Sequence, residues 1–162
     1  MIEKDPAVYL PYLDGERAPI WNTRASGAFL GLHSSHSDRE LLYSVMEGVA
    51  FSLYHIFNTM KERGEGEIKT AGGAAVNFQF NRMKAALFGK PLFILKEKDT
   101  SALGAILCAL TGSGKYKNLG EAAKYLVKTE SVVEPEERLK EILLPRYEKY
   151  IEYGKLLAGT WK

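Results

Sequence analysis

The chain has 162 residues, 46% hydrophobic and 26% charged, with 22 Lys and Arg against 20 Asp and Glu. That composition fits one globular domain, long enough to bury roughly 70% of the surface its unfolded chain exposes; it excludes a disordered chain and one that needs a disulfide or metal staple. A net charge of +2, with Lys and Arg scattered along the chain, argues against nucleic acid as a partner.

No apolar run approaches the roughly 20 residues that cross a bilayer, and Glu3, Lys4 and Asp5 stand where a signal peptide would be apolar. The expectation is a soluble, cytoplasmic protein with no membrane partner. Cys108 is the single cysteine, so no intramolecular disulfide forms. Its neighbours Leu107, Ala109 and Leu110 predict a small buried hydrophobe.

In chain order, Pro6 to Asn22 reads as an ordered loop whose tip is the Asp14-Gly15-Glu16-Arg17 turn, with Pro19 keeping Ala18 out of the helical region. Ala28 to Leu32 is a short apolar run between Gly27 and Gly31, a brief strand. Ser37, with Glu40 three residues on, forms a capping box that opens the strongest helix. Leu42, Val45, Met46, Val49, Ala50, Leu53, Ile56, Phe57 and Met60 then recur at spacings of three and four until Gly64, a stripe that needs a surface to cover.

Glu67 to Ala71 predicts a strand closed by Gly72-Gly73, followed by a helix from Asn77 to Phe88 that stops at Gly89 and Pro91. Leu92 to Leu95 is the next strand. Ser101 to Thr111 and Leu119 to Thr129 read as helices, and Glu134-Pro135 interrupts. The remainder reads as two helices, Glu136 to Leu143 and Pro145 to Leu157, because proline suits a first turn and not an interior. Three short strands with five or six helices make an α/β fold with parallel pairing. So small a sheet is too little to cover that many amphipathic helices, so part of a larger domain, or a partner chain, is implied.

Thr70 to Asn77, with Gly72 and Gly73 between a strand and a helix, has two readings: a nucleotide pocket approached by bare backbone, or a tight connection using glycine for its dihedrals alone. Gly112-Ser113-Gly114-Lys115 is rejected as a phosphate loop. Tyr116 replaces the required Ser or Thr, and the segment follows a helix, so it reads as a C-cap. His33 and His36 lie in a polar loop and His55 is isolated, which leaves no metal-ligand set. Asp14, Glu16 and Arg17 read as a solvated loop tip or a charged cluster near substrate, and Tyr147, Tyr150 and Tyr153 as packing.

Several blocks, in order, resemble the FGGY carbohydrate kinases, specifically the C-terminal part of their second domain. Leu10 to Asn22 is similar to a loop of the xylulose and gluconate kinases. Ser26 to Leu32, Glu40-Leu41 and Ser44 to Ala50 resemble the family's C-terminal signature. Gly72-Gly73-Ala74 with Asn77, then Leu87 to Pro91, resembles its adenine-binding segment, and Ser101 to Ala105 the next helix start. The resemblance implies a partial actin-like, ribonuclease H-like α/β domain and ATP-dependent phosphorylation of a sugar hydroxyl, xylulose or gluconate being the expected substrate.

By the same resemblance, Gly72, Gly73 and Ala74 line the adenine side of the ATP site, Asn77 hydrogen-bonds the base, Glu16 and Arg17 face the cleft, and Mg²⁺ is held mainly through phosphates. No catalytic residue is assigned. The general base, the sugar contacts and the phosphate-gripping loop belong to preceding sequence in the family, so this chain alone is expected to be inactive. Two positions depart from the pattern: Ala86 stands where an acidic residue is usual, and the usual Gln near Arg82 is absent. The competing reading is a non-catalytic association module, pairing with a second copy or with a separately encoded N-terminal kinase chain.

Overall fold

The structure, a computed structural model, describes residues 6–60 and 66–161. Near the N-terminus, β1 (Val8–Leu10) pairs antiparallel with β2 (Ala28–Leu30), Tyr9 opposite Phe29. Helix α1 (Asp38–Thr59) starts at the expected capping box: the Glu40 amide donates to Ser37 Oγ and the Ser37 amide to Glu40 Oε2 at 2.7 Å. Gly64, the expected stop of this helix, lies outside the described residues.

Strand β3 (Ile68–Thr70) leads through a 3₁₀ turn, Gly73–Val76, into α2 (Phe78–Phe88), which ends at Gly89 in the left-handed region, φ 62°. Strand β4 (Leu92–Leu95) lies parallel to β3, Thr70 opposite Ile94, as expected. Helices α3 (Thr100–Gly112) and α4 (Leu119–Leu126) pack on each other and precede β5 (Thr129–Val133), which returns antiparallel to β4. The sheet order is β3-β4-β5. The chain finishes with α5 (Glu137–Ala158).

The main core lies between α1, α2, α5 and the β1-β2 pair, where Leu10, Tyr12, Phe51, Met83, Leu87, Leu143 and Tyr150 are buried. At its centre the hydroxyls of Tyr12 and Tyr150 share a hydrogen bond of 2.6 Å, and Trp161 meets Tyr12 edge-on at 5.6 Å. Glu47 of α1 and Arg146 of α5 form a buried ion pair at 2.7 Å. Gly48 touches β1 so closely that a Cβ there would collide with the Tyr9 carbonyl. A smaller core of Ala75, Ala85, Leu92, Ile94 and Val133 lies between α2 and the sheet.

Four expectations are corrected. Pro145 does not divide the last helix, because Leu139, Leu143, Tyr150 and Gly154 form one buried stripe across it; that packing offsets the roughly 3 kcal/mol a helix-interior proline costs. The segment expected to be helical as far as Thr129 leaves the helix after Leu126, and Thr129 begins an edge strand. Val8–Leu10 is a strand inside the expected loop, which with β5 makes five strands and not three. Cys108 is exposed, because α3 buries no residue at all. Gly114, with φ 77°, ends α3 as the C-cap reading required.

Candidate nucleotide site

The candidate site is the turn between β3 and α2. Gly72 holds φ 83° and ψ −175°, a combination that is essentially glycine-only. The chain can therefore leave the strand and wind at once into the 3₁₀ turn, where the Ala75 amide donates to the Gly72 carbonyl at 3.1 Å. Asn77 caps α2: its Oδ1 accepts from the Phe80 amide at 3.0 Å, while its Nδ2 sits 3.5 Å from Met46 Sδ on α1. Asn81, buried one turn on, donates from Nδ2 to the Ala75 carbonyl at 2.7 Å and fixes the turn against the helix.

A Cβ at Gly72 or Gly73 would meet nothing within 4 Å, and Gly73, Ala74 and Asn77 are exposed. The bare backbone thus borders open space, and the sequence-predicted residues Gly72, Gly73, Ala74 and Asn77 are brought together on one short shelf. Concavities flank it. A cleft of about 270 Å³ between α1 and α2 is lined by Arg39, Met46, Gln79 and Arg82, and one of about 300 Å³ against β4 and β5 by Ala75, Phe78 and Ile94.

Arg82, near which the Gln of the resembled pattern is absent, is engaged by other side chains. Its Nε and Nη2 donate to Glu136 at 2.5 and 2.7 Å, and Nη1 donates to Gln79 at 2.9 Å. That bidentate contact holds the Glu136 carboxyl below its ordinary range and raises the guanidinium further. Ala86 is fully buried, so the acidic residue usual there has a methyl group in its place.

Glu16 and Arg17 are not joined to this shelf by any hydrogen bond or ion pair among the described residues. Glu16 stabilises its own loop: its amide and carbonyl pair with those of Asn22 at 2.9 Å, and its carboxylate accepts from the Arg17 amide at 2.8 Å and from Ser52 Oγ at 3.4 Å. Gly15, at φ 82°, lies where a Cβ would strike the Thr23 backbone. Arg17 is exposed. His36 binds back to the His33 amide at 2.8 Å, and among the described residues no group of three His, Cys, Asp or Glu could hold a metal ion.

One residue near the site escaped the sequence reading. Lys84 is only 5% exposed, with Nζ 3.1 Å from Thr70 Oγ1 and 4.6 Å from the centre of the Phe80 ring. Burial lowers its pKa. The signal was available: a lysine between Met83 and Leu87, four residues after Phe80, falls on the inward face of α2.

Residues 3–113 match the C-terminal domain of the FGGY family of carbohydrate kinases. The chain belongs to that family. It is 31% identical over 140 residues to a gluconokinase of Bacillus licheniformis, covering 85% of this chain and 27% of that enzyme. A xylulose kinase of Bacillus subtilis is 30% identical over 130 residues, covering 79% of this chain and 26% of that one. Among solved structures, a ligand-bound xylulose kinase of Lactobacillus acidophilus superimposes with a TM-score of 0.83 at 29% identity, covering 96% of this chain and 32% of that one. The chain therefore spans between about a quarter and a third of these FGGY kinases, and its α/β fold is that of their C-terminal part. Among the described residues no helix is long and apolar enough to cross a membrane.

Proposed function

We propose that this chain is the C-terminal portion of an ATP-dependent sugar kinase and supplies the adenine side of its ATP site. The observation that carries the reading is the β3-α2 turn, where the glycine-only dihedrals of Gly72 and the open space beside Gly73 leave backbone free to lie against a flat base. Asn77 Oδ1 is committed to its cap, so contact with the base falls to Nδ2. Its present partner is a thioether, a weak acceptor that a ring nitrogen of adenine would replace.

In this reading the γ-phosphoryl group passes from ATP to a sugar hydroxyl, xylulose or gluconate being favoured by the similarity to kinases of both kinds. Phosphoryl transfer depends mainly on positioning and charge stabilisation, and this chain contributes the positioning of the base. The general base and the loop gripping phosphate come from the N-terminal portion of the kinase, on the same chain or a separate one. Mg²⁺ fits only as a companion of the phosphates, since the turn offers it no carboxylate. Such a kinase works in the cytoplasm.

Calorimetric titration of the purified chain with Mg-ADP tests this, beside Gly73→Glu. Gly73 keeps an ordinary backbone conformation and faces open space, so the variant folds while its side chain occupies the shelf. Saturable binding weakened at least tenfold by Gly73→Glu is expected. Equal binding by both proteins would remove the adenine from this turn.

A further inference from the structure

Asn81 is 2% exposed, and the two ends of its amide fare differently. Nδ2 donates to the Ala75 carbonyl at 2.7 Å, while Oδ1 is the one buried side-chain polar atom without a hydrogen-bond partner among the described residues. Turning the amide over would set oxygen against the Ala75 carbonyl oxygen, so its orientation is fixed. A buried acceptor with no donor is rare in a folded chain and needs an explanation. Asn81 lines the cleft of about 300 Å³ between the start of α2 and strands β4 and β5. The walls of that cleft are apolar: Ala75 and Ile94 belong to the smaller core, and Val76 and Phe78 are 62% and 61% exposed. Lys98 and Glu130, both exposed, bring opposite charges to it, so neither sign of ion is favoured.

We infer that this cleft binds a flat, uncharged aromatic ring carrying an amino or amide N–H, and that Asn81 Oδ1 accepts from it. The walls take the ring and Asn81 takes the donor, the usual division of labour in a small-molecule site. Because Oδ1 is held out of water, a hydrogen bond made there is strong, and a ring presenting a carboxylate at the same place sets acceptor against acceptor. Phe78 and Val76 leave apolar surface in water that such a ring would cover. The ring comes either from the base of the nucleotide, by way of the turn that Ala75 and Val76 continue, or from a separate small molecule. Its chemistry is the same in both cases, and the inference stands apart from the kinase reading.

Nicotinamide is the probe and nicotinate its control, the same ring with a carboxylate in place of the amide donor. Titrated into the purified chain and followed by NMR, nicotinamide is expected to give saturable shifts at the cleft residues, and nicotinate to bind at least about tenfold more weakly, the difference of a buried hydrogen bond made or refused. Asn81→Leu should remove the difference between the two. Because that change also leaves the Ala75 carbonyl without its donor, Val76→Trp serves as a second variant. It fills the cleft from an exposed position, keeps Asn81, and should abolish nicotinamide binding with Tm unchanged. Nicotinate binding as well as nicotinamide would make Lys98 the anchor and overturn the inference. So would an undiminished preference in Asn81→Leu, or no nicotinamide binding at all, which would leave Oδ1 to a water molecule. Saturating Mg-ADP then identifies the source: displacement of nicotinamide means that the base itself enters the cleft, and simultaneous binding means a separate molecule, the cleft keeping its chemistry either way. If Mg-ADP fails to bind, the adenine reading falls alone and the nicotinamide result stands.

Discussion

Helix α5 carries charge along much of its length and a proline near its centre, yet buries Leu139, Leu143, Tyr150 and Gly154. Helix α3 is apolar at every position from Ala102 to Leu110 except Gly104, and buries none of them. The difference lies in what each helix meets. Helix α5 packs on α1, α2 and β1 around Tyr12, whereas α3 has α4 as its main neighbour. Apolar content alone therefore does not mark the core; a helix is buried only where the chain supplies a second surface. The contact between α1, α2 and α5 is closed within these residues, whereas the outer face of α1, the β3 edge and α3 stay open.

The largest expected effect belongs to the closed side. Glu47 and Arg146 are nearly sealed from water at the α1-α5 contact, so Arg146→Met leaves a buried carboxylate without its guanidinium. A loss of about 3–5 kcal/mol is expected in urea unfolding. Replacing both partners, Glu47→Leu with Arg146→Met, should recover most of it, since the cost lies in the unpaired charge. If the single variant unfolds like wild type, the closed side does not owe its rigidity to this pair.

The elements with strong local signals were legible in the sequence. The Ser37-Glu40 box and the Gly89 stop act through neighbours within a few residues and stand as expected, while the helix expected from Asn77 begins at Phe78 with Asn77 as its cap. Pro145 misled because its local cost is visible in sequence while the stripe that overrides it depends on α1 and α2. Strand β5 was hidden for a related reason: Thr129 to Val132 are exposed, so no alternation of apolar residues announces an edge strand whose pairing comes from β4. In the site, the glycine pair and Asn77 were legible, as was their convergence on one turn. The inward placement of Lys84 was legible from Phe80, Met83 and Leu87 around it and was overlooked; what the sequence hides is its partner Thr70, which comes from β3.

A smaller effect tests the seam between the main core and the Glu16 loop. Burial lowers the pKa of His55; Glu16 pulls the other way and Lys155 adds to the depression. The native state therefore binds a proton less readily than the unfolded chain, whose histidine titrates near 6.5. Stability should be unaffected by His55 above that value and fall as pH drops from there toward the lowered native pKa. His55→Gln should flatten that part of the profile. Urea unfolding at pH 7.5 and 5.0 checks it: an equal fall in both proteins would place the pH dependence in the carboxylates instead.

The smallest expected effect bears most directly on the contrast between the two sides. Ile106 is half exposed on α3 in an otherwise apolar run. A side chain that leaves little surface buried on folding has little transfer energy to lose, so Ile106→Ala should change stability by no more than about 0.5 kcal/mol. Leu143→Ala, removing a fully buried side chain from the main core, should cost about 2–5 kcal/mol. If Ile106→Ala instead costs as much as Leu143→Ala in the chain alone, α3 is covered in solution by something these residues do not provide. If it is silent in the chain alone and costly once the N-terminal portion is present, α3 belongs to the surface that the rest of the kinase closes.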